Sequence, residues 1–202
     1  MKTISILLLV LCLFIKVNAQ VSLAPKAGVN MARFIGNDND KDPQRIVLPQ
    51  VGCIVNIDFN ETFALQPTLL YSVKGEKMKS YEGTHSKYYF HYLEMPVNAV
   101  YSITLVKNKF QVFAGPYWGY CLKANLESGG INTSNLSVGN SDSDVYKPFD
   151  FGYNAGVGYR FRNLQVQAGY AGSFATISNY GDLKNSIFSV TFAYFLGLSR
   201  KE

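Results

Sequence analysis

Few residues in this chain have the types and spacing that chemistry requires. Asp38-Asn39-Asp40-Lys41-Asp42 places oxygen donors at the first, third and fifth positions of a calcium loop. Such a loop turns on a glycine at its sixth position and closes on a bidentate glutamate at its twelfth. Here those positions are Pro43 and Pro49, so the stretch reads as a solvated loop, and Asn140-Ser141-Asp142-Ser143-Asp144 reads the same way. His85 and His91 are the only histidines. A hydrolase working on membrane lipid needs a nucleophile and an orienting group beside its histidine base. His91 has the phase to face lipid, but no such partners are legible, and it reads as a rim residue in an aromatic belt. Gly152, Gly156 and Gly158 mimic a phosphate loop. A phosphate needs the N-terminus of a following helix, and none follows. Cys53 and Cys121 could oxidise in an exported chain. They fall on opposite faces of non-adjacent strands, a placement unfavourable to a disulfide, and read as two free, buried thiols. No catalytic, cofactor-binding or metal-binding residue is expected.

The elements around these residues are all of one kind. MKTISILLLVLCLFIKVNAQ has a basic Lys2, an apolar run from Ile4 to Ile15 and the small-residue ending Val17-Asn18-Ala19. Residues 1–19 therefore read as a secretory signal peptide, too short in its apolar run to span a membrane as a helix, with one domain over 20–202. Leu11 before Cys12 argues against lipidation. Loss of Lys2 and Lys16 lowers the formal charge of +5 by two, and no basic run interleaves with aromatics. Nucleic acid is excluded as a partner. Charged residues make up only 16% of the chain while aromatics reach 14%, a profile unlike the roughly 25% charge of soluble domains.

Alternation carries the rest. In an extended strand successive side chains point to opposite faces. DFGYNAGVGYRF, residues 150–161, sets Phe151, Tyr153, Ala155, Val157, Tyr159 and Phe161 against Asp150, Gly152, Asn154, Gly156, Gly158 and Arg160. The same rhythm recurs over 21–34, 48–59, 62–74, 88–103, 109–124, 164–175 and 185–198. Connections alternate between long polar stretches (35–47, 75–87, 125–147, 177–184) and tight turns (60–61, 104–108, 162–163). That pattern predicts an all-β fold, an eight-stranded antiparallel up-and-down transmembrane β-barrel. The positions assigned to the apolar phase, which in the first strand end at Met31, contain no Asp, Glu, Lys or Arg, whereas the opposite phase holds Lys26, Asp58, Lys74, Glu94, Lys109, Lys123, Asp150 and Arg160. That second phase is also rich in glycine, serine, asparagine and glutamine, which cannot make a dry core. The aromatic face therefore looks out to lipid, which also excludes a soluble lipocalin-type binder. Pro25, Pro67, Pro96 and Pro116 lie inside strands, where each removes a ladder donor, so bulges or local breaks are expected beside them.

Lys26, Glu94, Asp150 and Arg160 share the narrow interior. Unpaired buried charges are costly, so these four are expected to pair across the lumen as a structural network rather than line a solute path. Eight strands leave an interior that side chains just fill.

PKAGVN (25–30), LLYSVKG (69–75), YLEMPV (92–97), AGPYWGYCL (114–122) and FDFGYNAGVGYRF (149–161) together resemble the PorT-like family of outer-membrane β-barrel proteins. The resemblance covers essentially the whole chain after the leader. It implies a small barrel of a Gram-negative outer membrane, with a structural or interaction role linked to protein secretion or envelope assembly. Its partners would be outer-membrane lipid, the barrel-assembly machinery during biogenesis, and secretion-system components. It supplies no catalytic residues. Two alternatives are a narrow pore for ions or small solutes and, more remotely, a lipid-modifying enzyme.

Overall fold

The computed structural model describes residues 20–36, 44–79, 85–106, 108–128, 131–141 and 143–196. The proposed leader and the Asp38–Asp42 stretch lie outside the described residues. Nine strands form: β1 Gln20–Ile35, β2 Ile46–Asp58, β3 Phe63–Lys79, β4 His85–Leu105, β5 Asn108–Ser128, β6 Ile131–Leu136, β7 Phe149–Phe161, β8 Leu164–Ser173 and β9 Lys184–Tyr194. Every ladder is antiparallel. Sequential neighbours pair, β4 joins β5, β5 joins β7, and β1 meets β9 with Lys26 opposite Ala193. Eight strands thus close a ring with no free edge.

The ring holds the eight strands expected, and the ninth lies outside it. β6 pairs only with the far end of β5, Ala124–Ser128, as a short hairpin standing beyond the ring. Similarly, β3 and β4 stay paired from Gly75↔Tyr89 to Lys79↔His85, through residues expected to be loop. There the apolar face has ended, so alternation no longer marks a strand, although backbone pairing continues.

Faces separate as the alternation requires. Phe151, Tyr153, Val157, Tyr159 and Phe161 are exposed on the outside of β7, while Asp150, Gly152, Gly158 and Arg160 are buried inside. Trp118–Phe151, Phe151–Phe174 and Tyr153–Phe174 lie with ring centroids 5.1–5.7 Å apart across neighbouring elements of that outer face. Such cross-strand aromatic pairs reinforce a sheet while presenting a continuous apolar surface.

The in-strand prolines cause lapses in pairing and no change of register. The β3–β4 ladder skips from Pro67↔Val97 to Leu70↔Glu94, and β4–β5 from Pro96↔Tyr117 to Ala99↔Ala114, each resuming in step. β1–β9 likewise stops at Lys26 and resumes at Leu23↔Leu196, passing over Pro25. Register shifts lie elsewhere, at His91/Tyr92 and at Leu126/Glu127. The first of these corrects one assignment: the extra residue on β5 turns Lys123 out to the exposed face, although its phase had put it in the lumen.

Candidate functional site: the filled lumen

The interior is layered. At the end carrying the long connections, Phe34, Phe90, Tyr92, Cys121, Ala124 and Ile177 form a buried apolar cap, with Phe90 edge-on to Phe34 and Tyr146. At the end carrying the tight turns, Ala24, Ile54, Ala193 and Phe195 form a second apolar cluster. Beside a third apolar cluster of Ala64, Val100 and Phe113, polar side chains occupy most of the remaining interior.

Their centre is Lys74, 1% exposed, projecting inward from β3. Its Nζ lies 2.9 Å from Asp150 Oδ2 on β7 and also contacts Glu94 Oε1 on β4. The ammonium sits 4.7 Å from the ring centroid of Tyr92 and 4.6 Å from that of Tyr117. Asp150 Oδ2 further accepts from Tyr117 Oη at 3.0 Å and from Asn185 Nδ2 at 2.8 Å, and Tyr117 Oη reaches Ser173 Oγ at 3.0 Å. One cation between two carboxylates therefore ties β3, β4, β5, β7, β8 and β9 together. Asn30 completes the belt, donating to Ser72 Oγ at 2.9 Å and accepting from Gln50 Nε2 at 2.7 Å, which adds β1 and β2.

Of the four charges expected to pair, Glu94 and Asp150 come together, but on Lys74. Lys26 and Arg160 do not join them, which corrects the proposed set. Lys26 Nζ donates to Gln167 Oε1 at 3.1 Å, and Arg160 stacks 3.7 Å from the Phe195 ring centroid while its Nε donates to the Arg162 carbonyl. The reason is height: Lys26 lies nearer the turn end and Arg160 nearer still, so neither reaches the Glu94–Asp150 level. Among the described residues neither has a carboxylate within ion-pair distance.

Phe113 and Tyr117 were missed as interior residues. Both belong to the lumen phase of β5 and lie over glycines of β7: a Cβ on Gly156 would come within 2.6 Å of Phe113 Cζ, and one on Gly152 within 2.7 Å of Tyr117 Cε1. The signal was available, since ring-sized residues on one strand matched bare positions on its neighbour. A cavity of about 70 Å³ remains beside them, lined in part by Lys26, Asn98, Asn154 and Gln167.

The candidate chemical groups stay apart. Both cysteines are free thiols, but only Cys121 is buried as expected; Cys53, on the outward phase of β2, is exposed on the outer face. The Tyr71 hydroxyl lies 2.7 Å from His91 Nδ1, on the outer rim. Asp144 accepts from Ser137 Oγ and from the Ser141 backbone N–H, contacts that hold its carboxyl below the ordinary range and close its loop on itself. Among the described residues no group of His, Cys, Asp and Glu is arranged to hold a metal.

Residues 18–179 match the family described as outer membrane protein beta-barrel domain. The chain belongs to that family. This outer-membrane barrel also resembles solved structures. One is Neisserial surface protein A (14% identity, 87% of this chain and 98% of that one, TM-score 0.46). Another is Ail, the attachment invasion locus protein of Yersinia pestis (16%, 87% and 99%, 0.45). A third is the outer membrane enzyme PagL (13%, 85% and 98%, 0.45). No curated protein matches the sequence. The barrel is a protein of the outer membrane.

Proposed function

We propose that this barrel is a non-conducting, non-enzymatic interaction protein of the PorT-like kind, serving protein secretion or envelope assembly through the surfaces at its two ends. The observation that carries the non-conducting part is the packed lumen. Lys74, Glu94, Asp150, Tyr117 and Asn185 interlock across its middle, and apolar clusters close in on both sides. An ion crossing would have to break a desolvated, multiply bonded charge cluster, which is strongly unfavourable. The long hairpin of β3 and β4 and the β5–β6 hairpin project beyond the ring and supply paired backbone on which a partner could dock.

Planar-bilayer recording with the purified, folded protein separates this reading from the narrow-pore alternative. No discrete conductance steps are expected; reproducible unitary steps that change in Lys74→Met would overturn it. Crosslinking in intact cells from residues of the β5–β6 hairpin should capture envelope or secretion-system proteins. Capture of lipid-anchored substrates undergoing turnover would instead favour the enzyme alternative.

A further inference from the structure

The apolar band on the outside of β1 and β2 is interrupted near its loop end by two arginines, with exposed Ile35 the last outward residue of β1. Outward positions of β1 run Val21, Leu23, Pro25, Ala27, Val29 and Met31 before reaching Arg33, and those of β2 run back through Val51, Pro49 and Val47 to Arg45. The β1–β2 ladder ends at Met31↔Val47 and Ala32↔Ile46, and Arg33 and Arg45 are the residues that follow on each side. Both stand at the loop end of the barrel, the end that meets outer-leaflet headgroups.

Arg45 is fixed in place. Its Nη1 donates to the carbonyls of Met31 at 2.9 Å and Ser186 at 3.2 Å, Nη2 reaches Ser186 Oγ at 3.3 Å, and its Cζ lies 4.6 Å from the Phe188 ring centroid. Arg33, whose Cα faces Ser186 across the β1–β9 seam, has a buried Nε with no hydrogen-bond partner. Among the described residues neither guanidinium has a carboxylate within ion-pair distance. Like charges on facing positions of a sheet repel. An anion between them would remove the repulsion and satisfy the orphaned donor, and guanidinium forks suit the oxygens of a phosphate.

We propose that Arg33 and Arg45 form a binding site for a phosphate group of a phosphorylated outer-leaflet glycolipid, with the acyl chains lying along the exposed Val29, Met31, Val47 and Phe188 surface. Height, charge and the adjacent apolar wall select a membrane lipid over a soluble anion. Neither the lumen nor the end-surface role is needed for this site.

The test uses native mass spectrometry of the detergent-folded protein with bisphosphorylated lipid A and, as a probe of the headgroup, the same lipid enzymatically stripped of phosphate. The wild-type protein should retain the phosphorylated form at least about tenfold better than R33Q/R45Q, the size expected for losing a charge-assisted contact. Lys109→Gln at the turn end should leave retention unchanged, and the heat-dependent gel shift of each variant reports that it folded. Equal retention of the stripped lipid, or undiminished retention by folded R33Q/R45Q, would overturn the proposal. Displacement by millimolar inorganic phosphate alone, with no dependence on acyl chains, would overturn the lipid assignment and leave a soluble anion as the occupant.

Discussion

Lys74 is the residue on which most of the interior depends. Replacing it with methionine would keep the volume but leave the buried Glu94 and Asp150 without a cation. Losing one partner of a buried ionic cluster costs about 3–5 kcal/mol. Lys74→Met should therefore lower the unfolding free energy in denaturant titrations from lipid vesicles by that order, and a change below about 1 kcal/mol would show that the cluster is not buried as described. The glycines offer a finer test. At Gly156 an added methyl meets Ala168 O at 2.3 Å and Phe113 Cζ at 2.6 Å, whereas at Gly158 its nearest neighbour is the flexible Gln167 Cγ at 3.2 Å. Overpacking costs about 1–3 kcal/mol where backbone must move, so Gly156→Ala should destabilise clearly more than Gly158→Ala in the same titration. Residues of this kind were only half legible in the sequence. Phase placed Glu94 and Asp150 inside, but which cation reaches them is a matter of height along tilted strands, and alternation carries no information about height. Lys74 was read as a lumen residue and left out of the network for that reason.

Strands were legible wherever one face meets lipid and the other does not, and ceased to be so beyond the membrane. The ends of β3 and β4 and all of β6 pair through backbone without an apolar stripe, so nothing in residue type marked them. The face assignment has a direct test in two neighbours on β4. Val97 lies opposite Pro67 on the outward phase, while Asn98 is buried and lines the cavity. Arginine at a lipid-facing midplane position costs about 2–4 kcal/mol. Val97→Arg should thus reduce folded yield or unfolding free energy more than Asn98→Arg does, and the reverse order would put the strand one residue out of phase. The extension above the membrane has its own dependence on pH. Glu127 on β5 accepts from Lys87 Nζ at 3.2 Å and from Tyr89 Oη at 3.0 Å, and these bonds, that to Lys87 first, hold its carboxyl below the ordinary 4.5. A depressed carboxyl contributes stability above its unfolded value and loses it as pH falls through its folded one. Amide protection at Leu126 and Glu127, corrected for intrinsic exchange, should fall on acidification below about 4.5. The same fall in Glu127→Gln would assign it to another group.

For the whole molecule, ring closure predicts behaviour that no single strand would show. Apart from the lapses beside the prolines, each of the eight ring strands is paired on both sides, so detergent has no edge at which to begin opening the sheet. The unboiled protein should migrate differently from the boiled one on a detergent gel, and recovery of the mature chain as a soluble periplasmic protein would contradict the fold. Protease added to intact cells should cut first within 125–147, while cuts confined to 104–108 would invert the topology. At this scale the sequence was most legible, because the run of charge-free outward positions and the alternation of long and short connections are properties of the entire chain. Binding partners were not legible, since they depend on loop surfaces that no periodicity constrains.

The seam between β1 and β9 also sets an order of events. The partner of the first strand is the last one made: until Lys184–Tyr194 has arrived, Gln20–Ile35 has only one of its two neighbours. A chain delivered across the inner membrane from its N-terminus must therefore wait with an unsatisfied strand at either end, and any interruption before residue 184 leaves β1 and β8 as two open edges. Long-range pairing of this kind is slow and prone to wrong association while it is incomplete. A chain cut short of its last strand cannot close this ring. Delivery is complete or it is worthless, and the periplasm must hold the chain in solution until its final strand comes through.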